Sequence, residues 1–314
     1  MTYKAAVIIP TRGGATKLHY PLDALRQQTE KDFQVIVVVD GDIDYSKAVI
    51  QEYIDEGSLN LSMIVFPENK GRVAALNAGH NSADAEILIR CDDDLQPSPE
   101  YVARHISHHK DNDGRVGVIG IYDNKFPETA YSRVYGNARN KKFKEAAYRT
   151  LSDEGWRYWA GNVSMTKELF EKVGGYDEDY RLYGWEDVDM GYKVYLETKR
   201  IIIDPSLETT HHIAATTTAG RARRALYSGS ARNIFLAKHG ENALPPLRPT
   251  GMWGLAVRTF ARIQTEFTIK IMGETADKII DKLPFYAGEK IVSLIVESAG
   301  YAGSRYPHRA RKKF

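Results

Sequence analysis

The amino-acid sequence predicts an α/β fold with a doubly wound, mostly parallel sheet and a helical C-terminal extension. Apolar runs typical of buried strands alternate with helical patterns four times within the first hundred residues. From about Arg221 onward the composition changes, and the chain becomes helix-rich and basic. We therefore predict an α/β domain over residues 1–220 and a basic helical extension over residues 221–314.

The composition excludes several other classes of protein. Of the 314 residues, 43% are hydrophobic and 27% are charged, which is ordinary for a globular chain. The formal net charge of +2 is too small to indicate binding of nucleic acid. The single cysteine, Cys91, cannot form an internal disulfide, and the sequence shows neither a signal-peptide pattern nor an apolar run of about 20 residues. We expect a cytoplasmic protein.

The first four strands and their helices follow one another at short intervals. The apolar run at 5–10 predicts a strand that ends at a proline, and further strands are predicted at 33–39, 59–66 and 87–91. Helical spacing at 18–25, 45–53 and 71–80 predicts the helices between them. Because the carboxyl ends of parallel strands lie at one edge of a sheet, the residues after these strands should converge on one crevice. They are Pro10, Thr11, Arg12, Asp40, residues 69–72 and Asp92-Asp93-Asp94.

The rest of the chain is assigned from the same patterns. Residues 123–153 are polar and rich in Lys and Arg, and we interpret them as a mobile or acceptor-facing excursion. A Pro-rich segment at 244–249 predicts a linker or hinge. The other predicted elements are helices at 100–109, 167–173 and up to about 196, strands at 116–122 and 201–203, and helical spacing at 254–272 and 287–297.

The acidic triplet is the first candidate for chemistry. If Asp92 to Asp94 are extended, Asp92 and Asp94 point the same way and Asp93 points away. Two carboxylates on one side favour a hard divalent cation such as Mg²⁺ or Mn²⁺, which is commonly held by carboxylates together with substrate phosphates. A solvated acidic loop is the alternative interpretation.

An acidic pair, Glu186-Asp187, precedes a predicted helix. Backbone N–H groups and the helix dipole at this end favour the ionised carboxylate, which suits a general base. Ordinary first-turn acids that cap the helix are the alternative.

A histidine pair, His211-His212, follows the strand at 201–203. One of the two imidazoles could complete the coordination begun by Asp92 and Asp94, and Mn²⁺ tolerates such a mixed nitrogen and oxygen set better than Mg²⁺. A partly buried polar side chain is the alternative.

Three residues at other strand ends could meet a nucleotide. Asp40 could accept a hydrogen bond from a base or ribose, and its alternative is an Asp-Gly turn. Lys70 and Arg72 are placed to contact a diphosphate, Arg72 through its bidentate fork, or they are surface cations at a helix start.

The ordered set of these motifs resembles the family-2 glycosyltransferases with the GT-A fold. Each motif is weak alone, and their order over residues 4–213 carries the resemblance. The motifs are residues 7–12, 39–41, 69–72 and 75–79, the triplet through Pro97, residues 174–178 and Trp185-Glu186-Asp187. The triplet with a later histidine is similar to galactofuranosyl- and rhamnosyl-type members, in which a histidine also touches the metal.

The resemblance implies inverting transfer from a nucleotide-diphosphate sugar, a UDP-sugar before other donors, to an acceptor hydroxyl. Asp187 would deprotonate the acceptor beside Glu186, and a divalent metal, Mn²⁺ or Mg²⁺, would be bound by Asp92 and Asp94 with His211 or His212. The implied donor-binding residues are Pro10, Thr11, Arg12, Asp40, Lys70, Arg72, Asn77, Asp92 and Asp93, and those assigned to the acceptor are Trp185, Gly161 and Asn162. The chain has Ala75-Leu76 where an arginine often precedes the asparagine, so the diphosphate contact falls to Lys70 or Arg72.

Two other functions remain open at this level. A sugar nucleotidyltransferase would carry a Gly-rich, basic loop after the first strand, which residues 11–17 match only in part. A non-catalytic nucleotide-sugar-binding protein would keep the fold without turnover. The acceptor is a glycan, a lipid-linked saccharide or a protein.

The helical spacing and the basic tail at 305–314 suggest a further partner. These C-terminal helices could form a homodimer, or the basic tail could make peripheral contact with an anionic membrane. The alternative is a helical extension packed on the same protomer.

Overall fold

The computed structural model describes residues 2–181 and 184–310, which form two compact units. Among these residues, the first unit comprises 2–123, 144–178 and 186–212, and the second comprises 124–143, 179–181, 184–185 and 213–310. Residues 311–314 of the predicted basic tail lie outside the described residues.

The first unit is built on a seven-stranded sheet with the strand order β3-β2-β1-β4-β8-β6-β9. Its strands are β1 (Tyr3–Thr11), β2 (Phe33–Asp40), β3 (Leu61–Phe66), β4 (Ala85–Cys91), β6 (Gly117–Ile119), β8 (Asn162–Thr166) and β9 (Ile201–Ile203). Neighbours pair in parallel except at β8, which runs antiparallel to both β4 and β6. The predicted doubly wound, mostly parallel sheet is confirmed.

A second, three-stranded sheet in the order β5-β10-β7 lies beyond the end of β4. It consists of β5 (Leu95–Gln96), β7 (Tyr122–Asn124) and β10 (Thr209–His211). His211 pairs with Leu95 in the antiparallel ladder between β10 and β5. The small sheet therefore brings the histidine pair beside the acidic triplet, although more than a hundred residues separate them in the chain.

Helices cover the faces of the large sheet. Strand β1 is buried along residues 5–9 without any alternation, as expected for a strand covered on both faces. The helices of the chain up to residue 198 are α1 (His19–Arg26), α2 (Ser46–Glu56), α3 (Arg72–Ser82), α4 (Tyr101–Lys110), α5 (Asn137–Arg149), α6 (Lys167–Val173) and α7 (Trp185–Thr198).

Three predicted elements differ from the structure. The excursion predicted at 123–153 contains a π-helical turn at Ser132–Gly136 that continues into α5. The strand predicted at 116–122 is two strands, β6 and β7. The helical stretch at 254–272 is split because Thr265 forms a reciprocal capping box with Thr268, which starts a new helix.

The second unit is a helical bundle with its own apolar core. Its main helices are α8 (Thr218–His239), α9 (Gly251–Ala261), α10 (Glu266–Ile279) and α11 (Phe285–Arg305). Helices α8 and α11 approach closely: a Cβ on Gly229 would collide with the backbone of Gly300, and one on Gly303 with that of Leu226. None of the described helices has the length and apolarity required to cross a membrane.

Candidate active site

A buried arginine in the first unit is shared by two acidic residues. Arg90 lies on β4 with no exposed surface, and its Nε and Nη2 donate to the two carboxylate oxygens of Asp92 at 2.8 and 3.3 Å. Its Nη1 donates to Asp187 Oδ1 on α7. A buried guanidinium needs such partners because desolvation of a lone charge is costly. One side chain thus joins two acidic motifs that lie far apart in the sequence.

The acidic triplet is not extended, which corrects the premise of its predicted geometry. The backbone N–H of Leu95 donates to the carbonyl of Asp92 at 3.1 Å, so residues 92–95 form a turn. The turn sends the three carboxylates to three different partners. Asp93 accepts from Thr11 Oγ1 at 2.6 Å and from Lys17 Nζ at 2.8 Å, whereas Asp94 faces His211.

The electrostatics of the triplet follow from these partners. Burial opposes ionisation of Asp92, but the charges of Arg90 and Arg72 outweigh it and lower the pKa of this carboxyl. Burial raises the pKa of Asp93 in spite of Lys17. Asp92 is therefore the ionised partner of a buried cation, and its two oxygens are both occupied by Arg90.

The acidic pair lies in the first turn of α7, as predicted, but is buried. Glu186 is 3% and Asp187 6% exposed. Burial, followed by the charge of Asp187, raises the pKa of Glu186, and burial raises that of Asp187 although Arg90 opposes it. Arg72 Nη1 lies 3.7 Å from Glu186 Oε1. The helix end alone therefore does not keep the pair ionised; two arginines provide the counter-charge.

The structure distinguishes the two histidines. His211 Nε2 lies 3.2 Å from Asp94 Oδ2, whereas His212 Nε2 lies 2.9 Å from the side-chain oxygen of Gln96. The ring of His212 also stacks on Tyr20, with centroids 3.7 Å apart. Among the contacts between described residues, His211 is thus the histidine seen beside a carboxylate of the triplet.

The predicted metal site has few donor atoms close together. Within residues 2–181 and 184–310, no group of three or more His, Cys, Asp or Glu side chains is arranged to hold a metal ion. Asp94 and His211 nevertheless offer one oxygen and one nitrogen donor side by side. This set fits a cation that takes its remaining ligands from water and substrate phosphates.

The residues predicted to bind a nucleotide have varied surroundings. Asp40 is 4% exposed and accepts from the backbone N–H groups of Lys70 at 2.6 Å and Gly71 at 3.0 Å, so it anchors this loop. Lys70 Nζ lies 5.0 Å from the centre of the Phe66 ring. Pro10 is buried in β1, and Arg12 is exposed just after it.

Two predicted ligand-binding amides instead hold the protein backbone. The Asn77 amide donates to the carbonyl of Tyr176 and accepts from its N–H, both at 2.8 Å. Asn162 has no exposed surface, and its amide donates to the carbonyl of Leu207 at 2.8 Å. The prediction that Asn162 contacts the acceptor is therefore corrected, because a fully buried side chain cannot reach a ligand.

The other two residues assigned to the acceptor have different positions. A Cβ atom on Gly161 would collide with the carboxylate of Asp92, so the absence of a side chain at this position makes room for the acidic triplet. Trp185 has its contacts in the second unit: its indole donates to Ser228 Oγ at 3.0 Å and packs against Phe235.

Arg90 is the main residue that was not singled out from the sequence. Its signal was present as a lone cation in the apolar strand Ile87–Cys91, since a charge in a buried strand requires an ionic partner. Lys17, which holds Asp93, carried no comparable signal.

Comparison with known proteins identifies relatives of this chain. The family model described as Glycosyl transferase family 2 matches residues 6–174, and one described as N-terminal domain of galactosyltransferase matches residues 141–214. The chain is 27% identical over 295 residues to validoxylamine A glucosyltransferase from Streptomyces hygroscopicus subsp. jinggangensis (strain 5008), covering 83% of this chain and 66% of that protein. It is 28% identical over 222 residues to chondroitin synthase from Pasteurella multocida (strain Pm70), covering 60% and 23%. The chain thus spans less than two thirds of the length of either relative.

Solved structures show the same fold at lower sequence identity. The mannosyltransferase PcManGT from Pyrobaculum calidifontis, in complex with GDP-Man and Mn²⁺, superimposes with a TM-score of 0.64 at 18% identity, covering 98% of this chain and 88% of that one. TarS 1–349 from S. aureus, in complex with UDP, gives a TM-score of 0.54 at 13% identity, covering 98% and 92%. The predicted GT-A-type α/β fold with a helical C-terminal region is confirmed.

Proposed function

The chain belongs to glycosyl transferase family 2, and we propose that it catalyses inverting transfer of a sugar from a nucleotide-diphosphate sugar to an acceptor hydroxyl. The observation that carries the proposal is the Arg90 bridge. It holds the acidic motif of β4 and the acidic pair of α7 in one buried site.

We assign the role of general base to Asp187. Arg90 contacts only its Oδ1, so the second carboxylate oxygen is available to take the proton of an acceptor hydroxyl. The pKa of Asp187 is raised by burial, which makes this carboxylate a better proton acceptor than an exposed one. Glu186 is the alternative base, because burial and the charge of Asp187 raise its pKa as well.

The leaving nucleoside diphosphate requires positive charge. Arg72 is 43% exposed in its side chain while it pairs with Glu186, and we propose that this guanidinium turns to the diphosphate when donor binds. We propose further that Asp94 and His211 hold a divalent metal. When bound, a divalent ion stabilises the charge that develops on the phosphate oxygens.

The solved relatives support a nucleotide-sugar donor and a metal. The solved structure of PcManGT contains GDP-Man and Mn²⁺, that of TarS contains UDP, and that of GalNAc-T7, which has a TM-score of 0.54, contains UDP, GalNAc and Mn²⁺. We propose a UDP-sugar as donor and Mn²⁺ or Mg²⁺ as the metal. The acceptor is proposed to be a glycan, a lipid-linked saccharide or a protein.

The test compares Asp187→Asn and Glu186→Gln after a panel of nucleotide sugars has been screened for thermal stabilisation and metal-dependent hydrolysis. With Asp187 as base, Asp187→Asn should lower kcat by about 10² to 10⁴-fold while donor still stabilises the variant, and Glu186→Gln should lower it less. The opposite order would exchange the two roles. Pyrophosphate release from a nucleoside triphosphate and a sugar phosphate would instead identify a nucleotidyltransferase.

A further inference from the structure

The second unit contains a cleft of about 470 Å³ that the proposed chemistry does not use. Its size is typical of sites for small ligands. One wall is the face of α8 that carries Arg221, Arg224, Ala225, Ser228 and Arg232, which recur at helical spacing. Helix α11 also lines the cleft, with Glu297, Gly300 and Tyr301.

The lining has a strong excess of positive charge. It contains three arginines and one carboxylate, and that carboxylate, Glu297, already accepts a hydrogen bond from Trp253 Nε1 at 2.8 Å. Among the described residues, the guanidinium of Arg232 donates only to the carbonyl of Pro245, at 2.6 Å. Half-burial lowers the pKa of Arg232, so this cation has lost water without gaining an anion. An anionic ligand would supply the missing counter-charge.

The rest of the lining fits the body of a saccharide. Small residues, Ala225 and Gly300, line the cleft, and a Cβ on Gly300 would make only ordinary van der Waals contact with Ala225, at 3.7 Å from its carbonyl oxygen. Trp185 and Tyr301 provide aromatic surface at the sides. Aromatic rings next to fixed cations suit a ligand with a compact apolar face and a charged substituent.

We propose that this arginine cleft binds a phosphate ester carried by a saccharide. A single carboxylate would need one guanidinium, whereas a phosphate has more charge and three oxygens, and can take bidentate hydrogen bonds from two arginines at once. That this saccharide phosphate is the acceptor, or part of it, rests on the proposed function, whereas phosphate binding itself does not.

The test is calorimetric titration of the full chain at low salt with glucose 6-phosphate, using glucose as the uncharged ligand. Arg224→Gln and Arg232→Gln should each weaken binding of glucose 6-phosphate by about tenfold, and the double variant should abolish it. Arg223→Gln is the matched control, because Arg223 lies on α8, is exposed and does not line the cleft. Arg223→Gln should bind glucose 6-phosphate as the wild type does, and added salt should weaken the binding to each of these two proteins.

Several results would overturn the proposal. No response of the wild type to glucose 6-phosphate, or equal binding by all five proteins, removes the site. Equal binding of glucuronate, lost in the same variants, assigns the cleft to carboxylates. Arginine-dependent binding to phosphatidylglycerol vesicles but not to the soluble sugar phosphate assigns it to a lipid headgroup.

Two controls separate this proposal from the proposed function. Thermal unfolding of each variant shows whether it is folded. Stabilisation by UDP with Mn²⁺ is measured on the same proteins: its absence counts against the proposed donor site, while the arginine-dependent phosphate response stands independently.

Discussion

Replacement of Arg90 by methionine should lower the free energy of unfolding by about 3 to 5 kcal/mol near neutral pH, the usual cost of removing one partner of a buried ion pair. Arg90 has no exposed surface and donates three hydrogen bonds to Asp92 and Asp187. Methionine fills much of the space but leaves two carboxylates without their cation, and the Asp187 side chain is only 9% exposed. The loss therefore comes from uncompensated buried charge rather than from a cavity.

The loss should shrink at lower pH. In the wild type, the pKa of Asp92 is lowered against the effect of burial, so its ion pair stabilises the fold above the unfolded-state pKa and ceases to do so as the pH falls through the folded-state pKa. Without Arg90, the pKa of both carboxyls rises, and each is neutralised at a pH where the wild type remains ionised. For each pH unit by which the buffer lies below that raised pKa, the variant regains about 1.4 kcal/mol of its free energy of unfolding per carboxyl.

Urea denaturation followed by tryptophan fluorescence, at about pH 7.5 and about pH 5, measures both effects. Arg104→Met is the control, because Arg104 pairs with Glu100 at the surface and its loss should cost about 1 kcal/mol or less. A triple variant with Arg90→Met, Asp92→Asn and Asp187→Asn removes all three charges of this ion-pair group and should recover much of the loss. A cost of Arg90→Met below about 1 kcal/mol, or one that is the same at both pH values, would refute this account of the site.

Three further predictions concern the same unit. His211→Ala should weaken the Mn²⁺ dependence of donor stabilisation by about tenfold or more, whereas His212→Ala should change it little; equal effects in a Mn²⁺ titration after EDTA treatment would contradict the assignment. A Cβ on Gly161 would displace the Asp92 carboxylate, so Gly161→Ala should reduce kcat by about tenfold or more while far-ultraviolet circular dichroism stays unchanged. The pKa of Glu186 is raised from 4.5 to about 7, by burial first and by a neighbouring carboxylate second, so the folded chain binds this proton more tightly than the unfolded chain. The contribution of this group to stability therefore falls as the pH rises from 4.5 to about 7, and Glu186→Gln should flatten that part of the melting-temperature profile.

The sequence by itself determined the fold class and the family. Strands such as β1 and β4 could be predicted because burial on both faces requires a continuous apolar run, which is visible locally. The order of strands, helices and acidic motifs then sufficed to identify the resemblance, which the family match over residues 6–174 confirmed. It also located the acidic triplet and the acidic pair at element ends, where functional side chains collect in this type of sheet.

Tertiary structure alone decided which of those side chains work together. The contact of Arg90 with Asp187 and the pairing of Asp94 with His211 join segments about a hundred residues apart. Spacing along the chain cannot encode such contacts, because a hydrogen bond or ion pair forms only where packing removes water and fixes two atoms within reach. Asn162 shows the same limit. The sequence predicted that it contacts a ligand, but in the folded chain its side chain is buried and its amide donates to the backbone carbonyl of Leu207.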